Sequence, residues 1–586
     1  MGKNRKRYPG GIALAVLALV LGGCFSPLKE APMGYIQIGA AIHTNGGAAS
    51  DRTVLPGADE LAVMTYKVHL SGPGGTIDQN LGPSGGTISL IPGNWKITVK
   101  AYIDASTDES RLRGIAEETI IVTPGGSHTI TLKPCIGVST EADLKAIFDS
   151  SSQLSLRYPP DTAKGDLIVL ESDITASMAA TGILQVPSGR DVTIIAEPGT
   201  TRTLTTASFA VNLGSLTLGK AGETGKLVFD GAGLDYFGGS YSSWPLYVYS
   251  SGSLTINGNT EIKNFVASNG QGGAIMVQNG STLTINGGDI HHNQNTESTG
   301  FSFGGAIFVQ DSTFVMNGGI IRNNSAIDSG GGVYIVRDGT SPASFTMYGG
   351  TIRNNTADNS GGGVYVSASA SSATFTMYDG TIDNNTAGAQ GGGVWHDGEF
   401  TMNGGTISNN KVASSTSSIA GGGIYQQFNS SNSNRFTMNG GRVTGNSALC
   451  TLSSGGAAQG GGIMGGLTSS NMDLNGGTIS NNTASSTSGT AYGGGIHCDA
   501  IVTLANTNTI GAVVIRGNSA GTGGGVYSST PNLNFNGTTI SGNNATDSTG
   551  IGGAYKNGGF TSGDFVNVTI SGNMRNGAVG PGYDYN

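Results

Sequence analysis

Chemistry on a sugar, a phosphate or a metal needs ionisable side chains that return to a common place. Seven histidines occur, at His43, His69, His128, His291, His292, His396 and His497. They follow no ligand-like spacing. Glycoside hydrolysis needs two carboxylates at a fixed separation, and no Asp pair recurs here beside an Arg. The glycine runs lack the Asp that calcium-binding nonapeptides require. Lys220 to Lys226 has the wrong glycine spacing for a phosphate loop, and Leu227 stands where that loop needs Ser or Thr. The sequence therefore assigns no catalytic residue, metal ligand or cofactor.

Two series do return regularly. Phe308, Tyr334, Tyr365, Trp395, Tyr425, Tyr527 and Tyr555 each follow an Ile, Val or Ala in a glycine-rich segment. If the Ile, Val or Ala points inward, alternation turns the aromatic outward. A flat apolar ladder would result, suited to a glycan or an extracellular protein. Read structurally, the same rings simply stabilise neighbouring strands. The second series is Lys263, His291, Arg322, Arg353 and Asp383, each after an Ile. It is either a contact for an acidic polymer or a solvated face screened by salt.

The N-terminus carries chemistry of another kind. Lys3, Arg5, Lys6 and Arg7 precede an apolar run from Ile12 to Leu21, which is too short to span a bilayer. The run ends in Leu21, Gly22, Gly23 and Cys24. This segment resembles the lipobox of bacterial lipoproteins, which implies removal of residues 1–23 and acylation of Cys24. Several acyl chains anchor a protein stably where one does not. Phe25 and Ser26 follow, rather than Asp, and by resemblance to enteric sorting rules this favours an outer membrane lipoprotein at the cell surface. Residues 24–33, with Pro27 and Pro32, form a tether.

Composition narrows the remainder. Charged residues make up 11% of the chain, less than half the usual share of about 25%. There are 100 glycines among 586 residues, more than twice the usual share of about 7%. No strict Gly-X-Y period appears, so collagen is excluded. The net charge of −9, with no basic patch interleaved with aromatics, argues against nucleic acid as a partner. The other cysteines, Cys135, Cys450 and Cys498, form no C-x-x-C pair, and a Cys450–Cys498 disulfide is left open.

The elements that would position these residues fall into two parts. Residues 34–137 read as short strands separated by Gly/Pro turns, with clean alternation from Trp95 to Tyr102. They resemble Ig-like or transthyretin-like β-sandwich modules. Residues 138–164 hold a capping helix and a linker. Thr140 and Asp143 have capping-box spacing, and Leu144, Ile147 and Phe148 share one face.

Residues 165–586 repeat. A Phe-Thr-Met-Tyr-Gly-Gly-Thr-Ile block leads to Asn-Asn, and then to Gly-Gly-Gly-Val. Ile256, Ile285, Met316, Met347, Met377, Met402, Met438, Leu474, Leu504 and Phe535 mark equivalent positions. Each unit gives three short strands, too short for sheets of their own, which must pair with their counterparts in the next unit. Glycine and asparagine corners tolerate left-handed backbone. Stacking puts Ile275, Ile307, Val333, Val364, Val394, Ile424, Ile463, Ile496 and Val526 in one internal column. Asn324, Asn355, Asn385, Asn410 and Asn482 form another, with ladder-like amide bonds. Length variation is expected at one corner, between Asn-Asn and Gly-Gly-Gly.

This pattern resembles the right-handed parallel β-helix superfamily that includes pectate lyases. The Gly-Gly-Ala-Ile pieces at Gly272 and Gly304 resemble the repeats of polymorphic outer membrane proteins. Those proteins end in a membrane barrel. Here the Gly-Tyr-Asp-Tyr-Asn ending leaves no room for one, and a lipid would replace it. The expected fold is all-β: a solenoid with a capping helix, preceded by a small β-sandwich. The expected function is adhesion or glycan binding without catalysis, with a polysaccharide lyase or hydrolase as the alternative. Family enzymes place paired Asp near Gly-His-Gly, or calcium-binding Asp near Arg, and neither arrangement is found here.

Overall fold

The computed structural model describes residues 33–38, 64–103, 112–130, 132–148 and 166–585. The last range is interrupted at 177–182, 187, 236–243, 269–270, 298–301, 340, 369–372, 416, 428–434, 466–470, 499–507, 530–532, 562–563, 580–581 and 583. The leader at 1–23, Cys24 and the tether, and the linker after residue 148 lie outside the described residues. The chain divides into two compact units, with the boundary at Pro134/Cys135.

The first unit has two sheets. β1 (Gly34–Ile38) lies between β4 (Gly86–Leu90), antiparallel, and β7 (Ser127–Ile130), parallel. The second sheet has the order β3 (Gly75–Leu81), β2 (Met64–Gly72), β5 (Gly93–Ile103), β6 (Leu112–Val122), β8 (Lys133–Pro134). Alternation buries one face of each. Ile36, Ile38, Leu90 and Ile130 from one sheet join Val68, Leu70, Trp95, Ile97 and Val99 from the other in a single core. The buried Trp95 places its Nε1 2.7 Å from the Ile91 carbonyl and so leaves no unpaired donor.

The second unit is a stack of coils. It begins at Ile136–Val138, which pairs parallel with Asp166–Leu170, so it starts earlier than the expected residue 165. A three-residue strand shows no alternation by which the sequence could reveal it. Between these strands lies α1 (Glu141–Phe148). Thr140 Oγ1 accepts from the Asp143 N–H at 3.2 Å, and Asp143 Oδ2 accepts from the Thr140 N–H at 2.9 Å, a reciprocal capping box. Leu144, Ile147 and Phe148 are buried in the coil core, with Phe148 edge-on to Phe209 at 5.5 Å.

Three long parallel sheets run through the stack. Sheet 1 contains Ser344–Met347, sheet 2 Thr351–Arg353 and sheet 3 Val364–Ser367, with 15, 14 and 13 strands respectively. Register is like on like: Phe345 over Phe375, Ile352 over Ile382, Val364 over Val394. The expected internal Ile/Val column from Ile275 to Val526 forms, fully buried. So does a column of stacked phenylalanines, Phe314, Phe345, Phe375 and Phe400, with centroids 4.4 to 4.6 Å apart.

Three details differ from the sequence reading. A narrow ladder, containing Thr356–Ala357, adds a fourth strand segment after the asparagine corner in the coils from Val266–Ala267 onward. Leu474 pairs with Ile510, since an insertion between sheets 3 and 1 delays the strand, and the expected Leu504 lies outside the described residues. That second variable corner consists of only Asp397 and Gly398 in one coil but runs from 427 to 434 in the next.

The corners explain the glycines. A Cβ at Gly380, where φ is 101°, would stand 2.9 Å from the Gly350 carbonyl oxygen. One at Gly362 would stand 2.4 Å from the Thr386 carbonyl oxygen. Both distances are closer than any Cβ tolerates.

The asparagine column is longer than expected: Asn293, Asn446, Asn518, Asn543 and Asn573 join the five foreseen. Before each sits a residue in left-handed backbone, which is Asn in some coils but His292 or Gly445, Gly517, Gly542 and Gly572 in others. Each interior amide donates to the next Asn Oδ1 and to a sheet 2 carbonyl. Asn410 Nδ2, for example, lies 3.0 Å from Asn446 Oδ1 and 2.9 Å from the Ile382 oxygen.

Candidate functional site

Sheet 3 carries the expected aromatic column on its outer side. Ring centroids are 5.3 Å apart for Phe308–Tyr334, 4.8 Å for Tyr334–Tyr365, 3.9 Å for Tyr365–Trp395 and 6.4 Å for Trp395–Tyr425, all stacked. The column is not an open ladder, however. Phe308, Tyr334 and Trp395 are buried, and Tyr365, Tyr425, Tyr527 and Tyr555 are half-buried. Phe303 stacks on Tyr334 at 4.5 Å, and Trp395 Nε1 donates to Gln390 Oε1 at 3.1 Å. Both covering residues come from the segment before the glycine turn, which folds back over the sheet. Burial pushes the Tyr334 and Tyr365 hydroxyls far above their ordinary range. The series is also broken, since Met464 and His497 occupy the register between Tyr425 and Tyr527.

Sheet 2 aligns the second series, Lys263, His291, Arg322, Arg353 and Asp383. An acidic column the sequence reading missed stands beside it. Glu261 meets Lys226, Lys263 at 3.0 Å and His291 at 3.0 Å, and Asp289 meets Arg322 at 2.8 Å. Burial alone would raise the Glu261 carboxyl, but its bonds to Lys226, Lys263 and His291 win and hold it at about 2. Burial keeps His291 below the ordinary imidazole value, against the pull of Asp289 and Glu261. Most of the cationic column is thus neutralised in place. Arg353 remains exposed.

Sheet 1 presents the open surface. Its outward residues in the central coils are hydroxyls, Ser344, Thr346, Thr374 and Thr376, all partly exposed. At its edge runs a column of short polar residues that includes Asn286, Asn317, Asn403 and Asn439, all exposed. Tyr348 and Tyr378 interrupt it. They stack at 5.0 Å with planes 7° apart and remain 52% and 48% exposed, unlike the sheet 3 rings. The Phe-Thr-Met-Tyr block contained the signal, in that the Tyr lies two residues beyond the outward Thr.

Residues 245–399, which include both tyrosines and most of the described columns, match the family model for a right handed beta helix region. The coil stack is a right-handed parallel β-helix. Comparison with curated proteins and with solved structures found no match.

The interior of the β-helix changes character along sheet 3. The inward column reads Val366, His396, Gln426 in successive coils, and further on Cys498, Ser528, Lys556, all buried. His396 Nδ1 lies 3.0 Å from the Gly398 carbonyl, and its Nε2 meets no protein partner among the described residues. Burial drops its pKa to about 4 despite that bond. The next residue, Asp397, turns the other way, and burial raises it to about 6 against a bond from the Ala368 N–H. Cys135, Cys450 and Cys498 are buried, and Cys450 forms no disulfide, so the Cys450–Cys498 bond left open by the sequence is not made. Cys450 aligns with Ser414 and Ser486 on the narrow ladder, whereas Cys498 lies in sheet 3. Among the described residues no group of three or more His, Cys, Asp or Glu side chains could hold a metal ion, and no helix is long and apolar enough to cross a membrane.

Proposed function

We propose that this protein is a lipid-anchored β-helix of the bacterial outer membrane, displayed at the cell surface, that binds extracellular material without catalysis. One observation carries the reading. The outer face of sheet 1 is open to solvent and ruled into straight columns of hydroxyl, amide and exposed aromatic groups, while the aromatic face of sheet 3 is covered. A repeating surface with a rise of about 4.8 Å per coil suits a long ligand that can make the same contact several times.

Three measurements test it together. Labelled palmitate should enter the wild-type chain and not a Cys24→Ala variant. Protease added to intact cells should cleave the protein. Cells carrying it should bind glycans or matrix proteins more strongly than cells carrying the Cys24→Ala form. Failure of the first two removes the anchor and the location, and failure of the third removes binding.

A polysaccharide-active enzyme is the second reading, favoured by the gathering of Glu261, Asp289 and His291 on sheet 2. A carboxyl held ionised at about 2 and already bonded to two lysines is a poor proton donor at neutral pH. Release of new reducing ends from polysaccharides, lost in Glu261→Gln, would establish this reading instead.

A further inference from the structure

The exposed column on sheet 1 is an amide ladder with a gap. Asn286 Nδ2 donates to Asn257 Oδ1 at 3.1 Å, and Asn317 Nδ2 to Asn286 Oδ1 at 2.8 Å. After the tyrosines the ladder resumes, with Asn439 Nδ2 on Asn403 Oδ1 at 2.9 Å and Asn475 Nδ2 on Asn439 Oδ1 at 3.0 Å. Every bond runs the same way, the later residue donating to the earlier. The gap therefore leaves two unlike groups facing it. Asn317 Oδ1 is an acceptor, Asn403 Nδ2 is a donor, and neither has a protein partner among the described residues.

The tyrosines fill the gap with ring surface. Their 5.0 Å separation nearly equals the coil rise of about 4.8 Å, so the rings lie almost directly over one another. In the column Asn317 is the coil neighbour of Tyr348 on one side, and Asn403 that of Tyr378 on the other. Tyrosine is longer than asparagine and both rings are about half exposed. The result is two shelves, each an exposed ring with one hydrogen-bonding amide next to it, on a hydroxyl-lined sheet.

We propose that the Tyr348–Tyr378 corner is a subsite for a neutral linear glycan running along the coil axis. This deepens, and rests on, the reading of the protein as a surface-binding β-helix. A pyranose offers an apolar C–H face for a ring and equatorial hydroxyls that both donate and accept, which is what one acceptor shelf and one donor shelf require. The shelf amides are three coil steps apart, roughly 14 Å, so one oligosaccharide can meet both. Neutrality follows from the neighbours. Ser344, Thr346, Thr374 and Thr376 bring no charge, and the exposed Asp379 beside Tyr378 repels an acidic polymer.

The test uses the purified full chain in detergent, titrated with neutral and acidic oligosaccharides. Tyr348→Asn with Tyr378→Asn completes the amide ladder and removes the shelves. Neutral-glycan affinity should fall by at least about tenfold while the melting temperature holds. Tyr348→Phe with Tyr378→Phe keeps the faces and should keep binding. Should the double Asn variant fail to fold, Asn317→Leu and Asn403→Leu must each weaken binding instead. Unchanged affinity in the folded double Asn variant overturns the subsite, as does a wild-type chain that binds no neutral glycan. If that wild-type chain binds a matrix protein, the subsite falls and the surface-binding reading stands.

Discussion

Asn573 Nδ2 donates to Asp584 Oδ1 at 2.9 Å, in the position where each earlier asparagine of the buried ladder meets the next asparagine. Asp584 also accepts the Asn573 N–H with the same oxygen, and its own carbonyl accepts the Ala554 N–H at 2.8 Å. A carboxylate suits a terminus because it accepts and need not donate onward. Inside the ladder it would leave two acceptors unserved.

The consequence is graded by position. Asn410→Ala removes two donated bonds and strips the Asn385 N–H and amide of their acceptor in a fully buried place. A loss of about 3 kcal/mol is expected, from buried groups left unpaired. Asp584→Ala should cost about 1 kcal/mol and loosen only the last coils, since neighbouring repeats in a stack support each other locally. Chemical denaturation gives the first difference, and amide exchange at residues 543–575 the second.

The adjacent His396 and Asp397 predict opposite pH dependences. Below pH 6.5 the unfolded chain protonates a histidine that the folded chain keeps neutral down to about 4, so His396 lowers stability as pH falls through that window. Asp397 stays protonated in the fold up to about 6, against an ordinary carboxyl value of 3.8, so it lowers stability as pH rises from 3.8 to 6. Each shift corresponds to roughly 3 kcal/mol, and the two nearly cancel between pH 4 and 6. Relative to wild type, His396→Val should gain stability on going from pH 6 to 4, and Asp397→Asn should lose it. Denaturation midpoints at pH 4, 5 and 6 check both signs.

Much of this was legible in the sequence because a stacked repeat shows its core as a column of identical letters. The Ile275 to Val526 column and the central asparagines could be read directly from spacing. What the sequence hid depends on neighbours far along the chain. Glu261 and Asp289 carry no motif and become partners of His291 and Arg322 only when coils stack. The cover over Tyr334 and Trp395 comes from Phe303 and Gln390, which a strand pattern cannot aim. Asn446 and Asn518 follow glycine rather than asparagine, so an Asn-Asn pattern does not reveal them, although any residue able to adopt left-handed backbone serves there.

The charged columns of sheet 2 make a third prediction. Wild-type protein should ignore acidic polymers at moderate salt, because Glu261 and Asp289 neutralise the cations beside them. Glu261→Gln with Asp289→Asn should expose Lys226, Lys263 and Arg322 and create binding to an anionic polysaccharide that fades as salt rises. Salt-gradient elution from such a matrix compares the two directly.

Thiol chemistry supplies a fourth. Cys450 is buried and forms no disulfide. A thiol reagent should react with it slowly in the native protein and fully once the chain is unfolded, with no need for a reductant. Release of thiols only after reduction would show a disulfide.

Thermal unfolding and glycan binding of two paired variants, measured side by side, decide which aromatic surface binds and which one supports the fold. Tyr365→Ser with Trp395→Ser should lower the melting temperature by several degrees, and the fraction still folded should bind normally. Tyr348→Asn with Tyr378→Asn should melt like wild type and bind poorly. The opposite pairing of results, with binding lost at the covered column and stability lost at the open corner, would contradict the account.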